Sequence, residues 1–206
     1  MKILLPTAAI SFLLTCVPAT AQQAQPPTLS AIDKRFYETL ARGAASTDLE
    51  KTKKSGGSGG GTFAEVCPQG GLLVGFEVWE GDWAGHRIIR GLRPIFQTAS
   101  GRVRGSSHGD TPGQPHKTAE AKDGYAVAAL EIRGGDRLDG FQLLFWKIRP
   151  AMGRLDAEAT YKSDWIGGEG GGKARNALSS DGRAILGIYG ASGADMDKLG
   201  LIYLPK

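Results

Sequence analysis

The sequence contains little cysteine, which excludes a disulfide-stabilised scaffold. Its two cysteines among 206 residues are Cys16 and Cys67. Exported domains without a sufficient hydrophobic core depend on several disulfides instead. Because Cys16 lies in a segment that we expect to be removed, Cys67 has no partner in the same chain. We predict that it is a free thiol, buried as a small hydrophobic residue.

The sequence also lacks long apolar runs and a strong excess of charge of one sign. Twenty-five basic residues against 21 acidic residues give a formal net charge of +4. Such a mild excess permits weak attraction to acidic polysaccharides or lipid headgroups, but it does not indicate nucleic-acid binding. No apolar run reaches the roughly 18–20 residues that a membrane span requires. We therefore expect neither a nucleic-acid partner nor a membrane span.

Recognisable catalytic, metal or cofactor motifs are missing too. The three histidines, His86, His108 and His116, do not have metal-ligand spacing and have no cysteine beside them. The stretch 106–110 contains serine, histidine and aspartate, but the members of a catalytic triad meet through the fold and not as sequence neighbours. We therefore predict that the protein has no cofactor, no metal site and no enzymatic activity. The sequence is compatible with a homo-oligomer.

Glycine, in contrast, is abundant. The chain has 31 glycines, about 15% against a usual ~7%. Its 41% hydrophobic and 22% charged residues are typical of a folded protein. The glycines follow no three-residue period, so they serve turns, bulges and close backbone contacts. This usage favours an all-β fold.

The N-terminal segment has the pattern of a secretory signal peptide. Lys2 precedes a mostly apolar stretch over residues 3–17, and Ala19 and Ala21 provide the small residues of a cleavage site. We predict a signal peptide over residues 1–21 and a secreted or periplasmic protein. A lipoprotein signal is the alternative, because Cys16 follows a sequence that loosely resembles a lipobox.

Residues 22–54 are predicted to form an N-terminal extension with one short helix. Ser30 begins the helix, with Asp33 in the position of a short capping box, and Gly43 is placed to end it. Apolar residues recur on one helical face: Ile32, Phe36, Tyr37 and Leu40. Both a docked or tethered helix and a disordered leader fit this stretch. The main domain is predicted over residues 55–206.

The main domain contains an internal repeat. Segments that start at Gly70, Asp123 and Asp181 each consist of a strand, a glycine-containing loop and a second strand. Apolar residues alternate within them, which indicates antiparallel strands. Two glycine runs, 56–61 and 167–172, each end ten residues before a glycine that opens a repeat strand. Three such units predict a closed, pseudo-threefold arrangement of three small sheets.

Two segments resemble jacalin-related lectins. Residues 185–200 read ILGIYGASGADMDKLG, which is similar to that family's last strand pair with its Gly-x-x-x-Asp loop. The glycine run 56–61, followed by Phe63, resembles the family's N-terminal glycine loop. This resemblance spans about residues 56–206 and implies a β-prism I of three antiparallel Greek-key sheets. A weaker similarity, over residues 62–78, is to vitelline membrane outer layer proteins.

The resemblance implies a carbohydrate site formed by two loops: Gly193, Ala194, Asp195 and Asp197, with Gly60 and Gly61. The Asp197 carboxylate would accept hydrogen bonds from two sugar hydroxyls, and the amides of Ala194 and Asp195 would donate to the sugar. The implied function is non-catalytic binding of hexoses in glycans. The alternative is a structural or protein-interaction module of the cell envelope that binds no sugar.

The second repeat has the same loop spacing and gives a second candidate carbohydrate site: Gly135, Asp136, Arg137 and Asp139, with 168–171 as a neighbouring loop. In the first repeat, Arg90 stands where aspartate would be needed, so no such site is expected there. Asp139 and Asp197 could instead cap turns, a common role of aspartate. Trp79 and Trp83, which flank a predicted loop, are candidates for stacking on sugars.

Overall fold

A computed structural model describes residues 30–170 and 176–206 of the chain. Within those residues the chain forms one α-helix and three five-stranded antiparallel sheets. The predicted signal peptide lies outside the described residues, as do the start of the predicted extension and the last two glycines of the run 167–172.

The three sheets follow the three sequence repeats. Sheet 1 contains β4 (Leu72–Trp83), β5 (His86–Thr98), β6 (Gly101–Arg104), β7 (His108–Gly109) and β8 (Lys117–Glu120). Sheet 2 contains β9 (Tyr125–Gly134), β10 (Leu138–Arg149), β11 (Arg154–Lys162), β12 (Ile166–Gly167) and β13 (Asn176–Ser179). Sheet 3 contains β14 (Ile185–Ser192), β15 (Met196–Tyr203), β1 (Glu50–Lys51), β2 (Ser55–Gly56) and β3 (Gly61–Val66). A short 3₁₀ turn, Pro150–Met152, follows β10.

Each sheet has the same topology around a central hairpin. One flanking strand pairs with the first hairpin strand, and two further strands pair with the second. In sheet 1 the order β8-β4-β5-β6 is a Greek key. The prediction of a β-prism with pseudo-threefold repeats is confirmed. Sheet 3 is completed by the N-terminal strands, and its first strand, Glu50–Lys51, comes from within the predicted extension.

The core lies between the central hairpins. Leu92, Phe141 and Leu199, which occupy matching repeat positions, are all fully buried. Phe76 of sheet 1 contacts Phe141 of sheet 2 edge-on, with ring centroids 5.6 Å apart. Cys67 is buried beside this core as a free cysteine, and burial raises the pKa of its thiol. The hairpins therefore bury their inner faces against one another, as the closed arrangement requires.

The outer face of sheet 1 is also covered, which the alternation pattern did not predict. Glu77 in β4 is only 4% exposed, because Arg93 and Arg104 extend across it from the neighbouring strands. The Nε of Arg93 lies 2.6 Å from Glu77 Oε2, and the Nε of Arg104 lies 2.5 Å from Oε1. A carboxylate between two arginines can be buried because its charge is compensated and its oxygens accept hydrogen bonds.

The helix α1 (Ala31–Ala44) begins at the predicted cap and docks on the prism. The Ser30 hydroxyl oxygen accepts from the amide of Asp33 at 3.1 Å. Phe36 and Leu40 are buried, whereas Ile32 is 54% exposed. Gly70, at a positive φ of 67°, packs against the helix backbone at Leu40, where a side chain would have no room. The described part of the extension is thus packed against the domain.

Candidate functional site

The second strand of each central hairpin has a one-residue register shift near the hairpin tip. In sheet 3 the extra residue is Asp197, between the paired residues Met196 and Lys198. In sheet 2 it is Asp139, and in sheet 1 it is Arg90. A bulge turns its residue out of the regular ladder and re-aims the side chain. The three positions are equivalent in the fold, and sheet 1 has arginine where the other sheets have aspartate.

The predicted glycine loop lies directly against Asp197. The Gly57 amide donates to the Asp197 carbonyl at 2.8 Å. A Cβ atom on Gly59 would lie 2.6 Å from Asp197 Oδ1, and one on Gly60 would meet Oδ2 and the backbone of Ser192. Gly60 also has a positive φ of 75°, which favours glycine. The two loops that the sequence placed in one site therefore meet in the structure.

The carboxylates of this site are paired with arginines from the other two repeats. Asp197 is 3% exposed, and its Oδ1 lies 3.0 Å from Nη1 of Arg137. Asp195 is bound on both oxygens, by Arg137 Nε and by Arg90 Nε, each at 3.3 Å. Arg137, which the sequence assigned to the second candidate site, in fact contacts the first. No sequence pattern indicated this pairing, because the partners come from different repeats.

Above these carboxylates the loop backbone is exposed. Gly193 and Ala194 are open to solvent, and a Cβ on Gly193 would have no atom within 4 Å. The Gly193 amide donates to the Asp195 carbonyl at 2.9 Å, which closes the loop. Gly61, also exposed, pairs with Ser192 beside it. We call Gly59, Gly60, Gly193, Ala194 and Asp197 the glycine-loop site.

Part of the second candidate site is in contact with the first hairpin. Asp139 is 4% exposed, and its carbonyl accepts from the Gly168 amide at 2.9 Å. The hairpin of sheet 1 continues four residue pairs beyond its bulge, whereas those of sheets 2 and 3 continue one pair. The longer hairpin brings Arg87 against Gly168 and His86 against Gly170. The described part of the sheet 2 glycine loop is consequently packed against the first hairpin, whereas Gly193 and Ala194 of the glycine-loop site are exposed.

The remaining second-site residues contribute to the first site. Asp136 is exposed, and its carbonyl accepts from Arg137 Nη1 at 3.1 Å. The same carbonyl lies against Gly57, with no room for a side chain there. Gly135 is half-buried in the same hairpin loop. The tip of the second hairpin thus supports the glycine run that precedes the glycine-loop site.

The two candidate stacking tryptophans have different environments. Trp79 is 2% exposed and its Nε1 donates to the Pro112 carbonyl at 3.0 Å, so it belongs to the core. Trp83 is 40% exposed at the hairpin tip. The Arg137 guanidinium lies over the Trp83 ring, 5.1 Å from its centroid. Only Trp83 of this pair presents an aromatic surface near the glycine-loop site.

The described part of the chain lacks two other features, a membrane-spanning helix and a cluster of metal ligands. Residues 30–170 and 176–206 contain no helix that is long and apolar enough to cross a membrane. The same ranges contain no group of three or more histidine, cysteine, aspartate or glutamate residues placed to hold a metal ion.

The comparisons with known proteins agree with this geometry at the level of the fold. No family model matches the chain, and no curated protein matches its sequence. Solved structures do match. The chain has the β-prism fold of jacalin-related lectins. At 12–17% identity for the three structures described next, the likeness establishes the fold alone.

Three of these structures show the extent of the match. A lectin from Malaysian banana is 17% identical with a TM-score of 0.53, over 77% of this chain and 99% of the lectin. Frutapin from Artocarpus incisa is 12% identical with a TM-score of 0.57, over 78% and 99%. A mannose-specific jacalin-related lectin from Morus nigra, solved in complex with mannose, is 15% identical with a TM-score of 0.54, over 78% and 97%. Nearly the whole of each lectin is matched.

Proposed function

We propose that the protein is a non-catalytic glycan-binding protein that binds a hexose at the glycine-loop site. The observation that carries the proposal is the contact between Gly60 and the Asp197 carboxylate, beneath the exposed backbone of Gly193. A fold alone does not define a function. The proposal therefore rests on this local geometry, together with the mannose bound by a lectin of the same fold.

The site offers the hydrogen-bonding groups that a hexose needs. Vicinal hydroxyls both donate and accept, and charged partners make the stronger hydrogen bonds. Oδ1 of Asp197 is bound by Arg137 at 3.0 Å, so the acceptor that remains for a hydroxyl is Oδ2, which faces Gly60. The partly exposed guanidinium of Arg137 supplies donors. The small residues Gly193 and Ala194 leave the loop backbone accessible. Because a monosaccharide makes few contacts, we expect a dissociation constant of about 1 mM for a single sugar.

We also propose that the protein is exported, as the signal-like segment 1–21 indicates, and that it has one sugar site. The glycine loop of sheet 2 packs against Arg87 and His86, so that a ligand there would have to displace the tip of the first hairpin.

Paired substitutions at the equivalent bulges test the sugar site. The experiment uses the predicted mature chain, residues 22–206, as the wild type and as the variants Asp197→Ala and Asp139→Ala. Each protein is applied to a glycan array and titrated with methyl mannoside by calorimetry. Both aspartates are buried, so the variants control for each other's loss of stability. We expect Asp197→Ala to lose most of the affinity and Asp139→Ala to retain it. Equal binding by the wild type and Asp197→Ala would refute the site.

A second candidate function is a structural or protein-interaction module. The observation that favours it is the pairing of Asp195 and Asp197 with Arg90 and Arg137, since these ion pairs already join the three repeats. Absence of binding to every glycan by the folded wild type would support this function over the first.

A further inference from the structure

The outer edge of sheet 3 has a concentration of lysines that extends along β15 away from the glycine-loop site, from Lys198 next to Asp197 to Lys51 opposite Ile202. Lys51, Lys53 and Lys54 are exposed, and Lys198 of β15 is partly exposed. We call these four residues the lysine stripe. In the described part of the chain, the lysines that form ion pairs are Lys117 and Lys162, which lie elsewhere. The acidic residue next to the stripe in sequence, Glu50, is bound by Arg183, with 2.8 Å between Nη1 and Oε2.

Tyr189 is in contact with two of these charges. The ammonium groups of Lys51 and Lys54 lie 5.3 Å and 5.4 Å from the centroid of its ring. The Tyr189 hydroxyl donates to the Thr52 carbonyl between them, and the ring packs over Gly200. Two like charges at one ring repel each other. A bound anion would relieve that repulsion.

The stripe is continuous with the glycine-loop site along the chain and across the sheet. Lys54 immediately precedes β2, which leads through Gly57 to Gly59 and Gly60. Lys198 directly follows Asp197 and pairs with Gly56. Lys54 and Gly59 are five residues apart in sequence, a distance of at most ~18 Å for extended chain, which a short run of linked sugars can span. A polymer with one sugar in the site would therefore reach the stripe with its neighbouring sugars.

From this juxtaposition we propose that the ligand is an anionic polysaccharide. A hexose occupies the glycine-loop site, and carboxylate or sulfate groups on adjoining sugars bind the ammonium groups of the stripe. This inference rests on the proposed function and adds the chemical class of its substrate. Because the lysines are exposed, their attraction for the polymer is screened by salt, whereas binding of a neutral hexose is not.

Binding of the mature protein to three polymers tests the inference. Polygalacturonate and dextran sulfate are the anionic probes, and mannan is the neutral probe, each measured from 20 mM to 500 mM NaCl. We expect Lys51→Gln/Lys54→Gln to bind the anionic polymers about tenfold more weakly at low salt, because two charge contacts are lost. Its affinity for mannan should equal that of the wild type.

A matched charge control is Lys34→Gln/Lys147→Gln, which removes two exposed lysines from the helix and from β10. If both double variants bind the anionic polymers equally weakly, the proposed role of the lysine stripe is overturned, because the polymers would then respond only to the net charge of the protein. If Lys51→Gln/Lys54→Gln binds phosphatidylglycerol vesicles more weakly than the wild type but binds all three polymers equally well, the lysine stripe binds a membrane surface and the proposal is overturned. Failure of the proposed function is a separate result, in which Asp197→Ala binds mannan as tightly as the wild type does.

Discussion

Arg137 Nη1 lies 3.0 Å from Asp197 Oδ1 and joins the hairpin tip of the second repeat to the bulge of the third. The carboxylate is 3% exposed, and a buried charge is tolerated only when it is paired and hydrogen-bonded. The arginine thus explains how the aspartate can lie beneath the glycine loop. It also makes the candidate sugar site a product of two repeats and not of one loop.

Replacement of this arginine should destabilise the fold. Arg137→Ala leaves the buried Asp197 without its cation, and we expect a loss of about 2–3 kcal/mol, less than for a fully buried pair because the arginine is partly exposed. Urea unfolding at pH 7 measures the change. Arg35→Ala, on the exposed side of the helix, is the control and should change stability by less than about 0.5 kcal/mol. Similar stability of both variants would show that the ion pair contributes nothing.

A side chain at Gly193 should block the site without disturbing the fold. A Cβ there would have no atom within 4 Å and Gly193 does not have a positive φ, so the side chain of Gly193→Leu occupies open space at the exposed loop backbone. We expect at least about tenfold weaker hexose binding, or 1.4 kcal/mol, with an unchanged melting temperature. Ala99→Leu, in the exposed turn after β5, is the control and should bind normally. Normal binding by Gly193→Leu would place the sugar elsewhere.

Acid should weaken the contact of Glu77 with its two arginines. Burial alone would raise the pKa of Glu77, but the hydrogen bonds from Arg104 and Arg93 outweigh it and hold the pKa below its ordinary value of 4.5. A depressed pKa in the folded state stabilises the protein above the unfolded pKa, and the stabilisation is lost as the pH falls through the folded value. We expect the melting temperature to fall below about pH 4.5 for this reason.

The variant Glu77→Gln isolates this contribution. It should be less stable than the wild type at pH 7 and should show a shallower decline in melting temperature between pH 5 and pH 2. Glu158→Gln, at an exposed residue, should keep the wild-type decline. A Glu77→Gln profile parallel to that of the wild type would contradict the assigned role.

Contact of the helix with the prism should depend on Leu40 and not on Ile32. Leu40 is fully buried and Ile32 is 54% exposed. Leu40→Ala should cost about 2–4 kcal/mol through lost burial and the cavity that remains. Ile32→Ala, at the other end of the same apolar series, should cost less than about 0.5 kcal/mol. Urea unfolding measures the free energy of unfolding of both variants. An equally small loss for Leu40→Ala and Ile32→Ala would mean that the docked helix contributes little to stability.

The three sheets, their glycine loops and the helix cap could all be predicted from the amino-acid sequence. Alternating apolar residues and a repeated unit depend on local geometry, because a strand exposes its two faces in turn and a hairpin needs its turn. The equivalence of Arg90 and Asp197 could be predicted in the same way, since each lies two residues before a matching apolar position of the repeat, Leu92 or Leu199. The approach of Gly60 to Asp197 followed from the resemblance to lectins.

Which charges meet, and which loop packs against a neighbouring hairpin, depend on how the three sheets are arranged in space. Arg137 and Asp197 are 60 residues apart, and their contact depends on how two hairpin tips pack, which no local pattern records. Arg87 covers Gly168 because the first hairpin is longer beyond its bulge. The ion pair and the loop contact both depend on the relative placement of three separate sheets. Side chains that face one another across such an interface have no fixed spacing in the sequence.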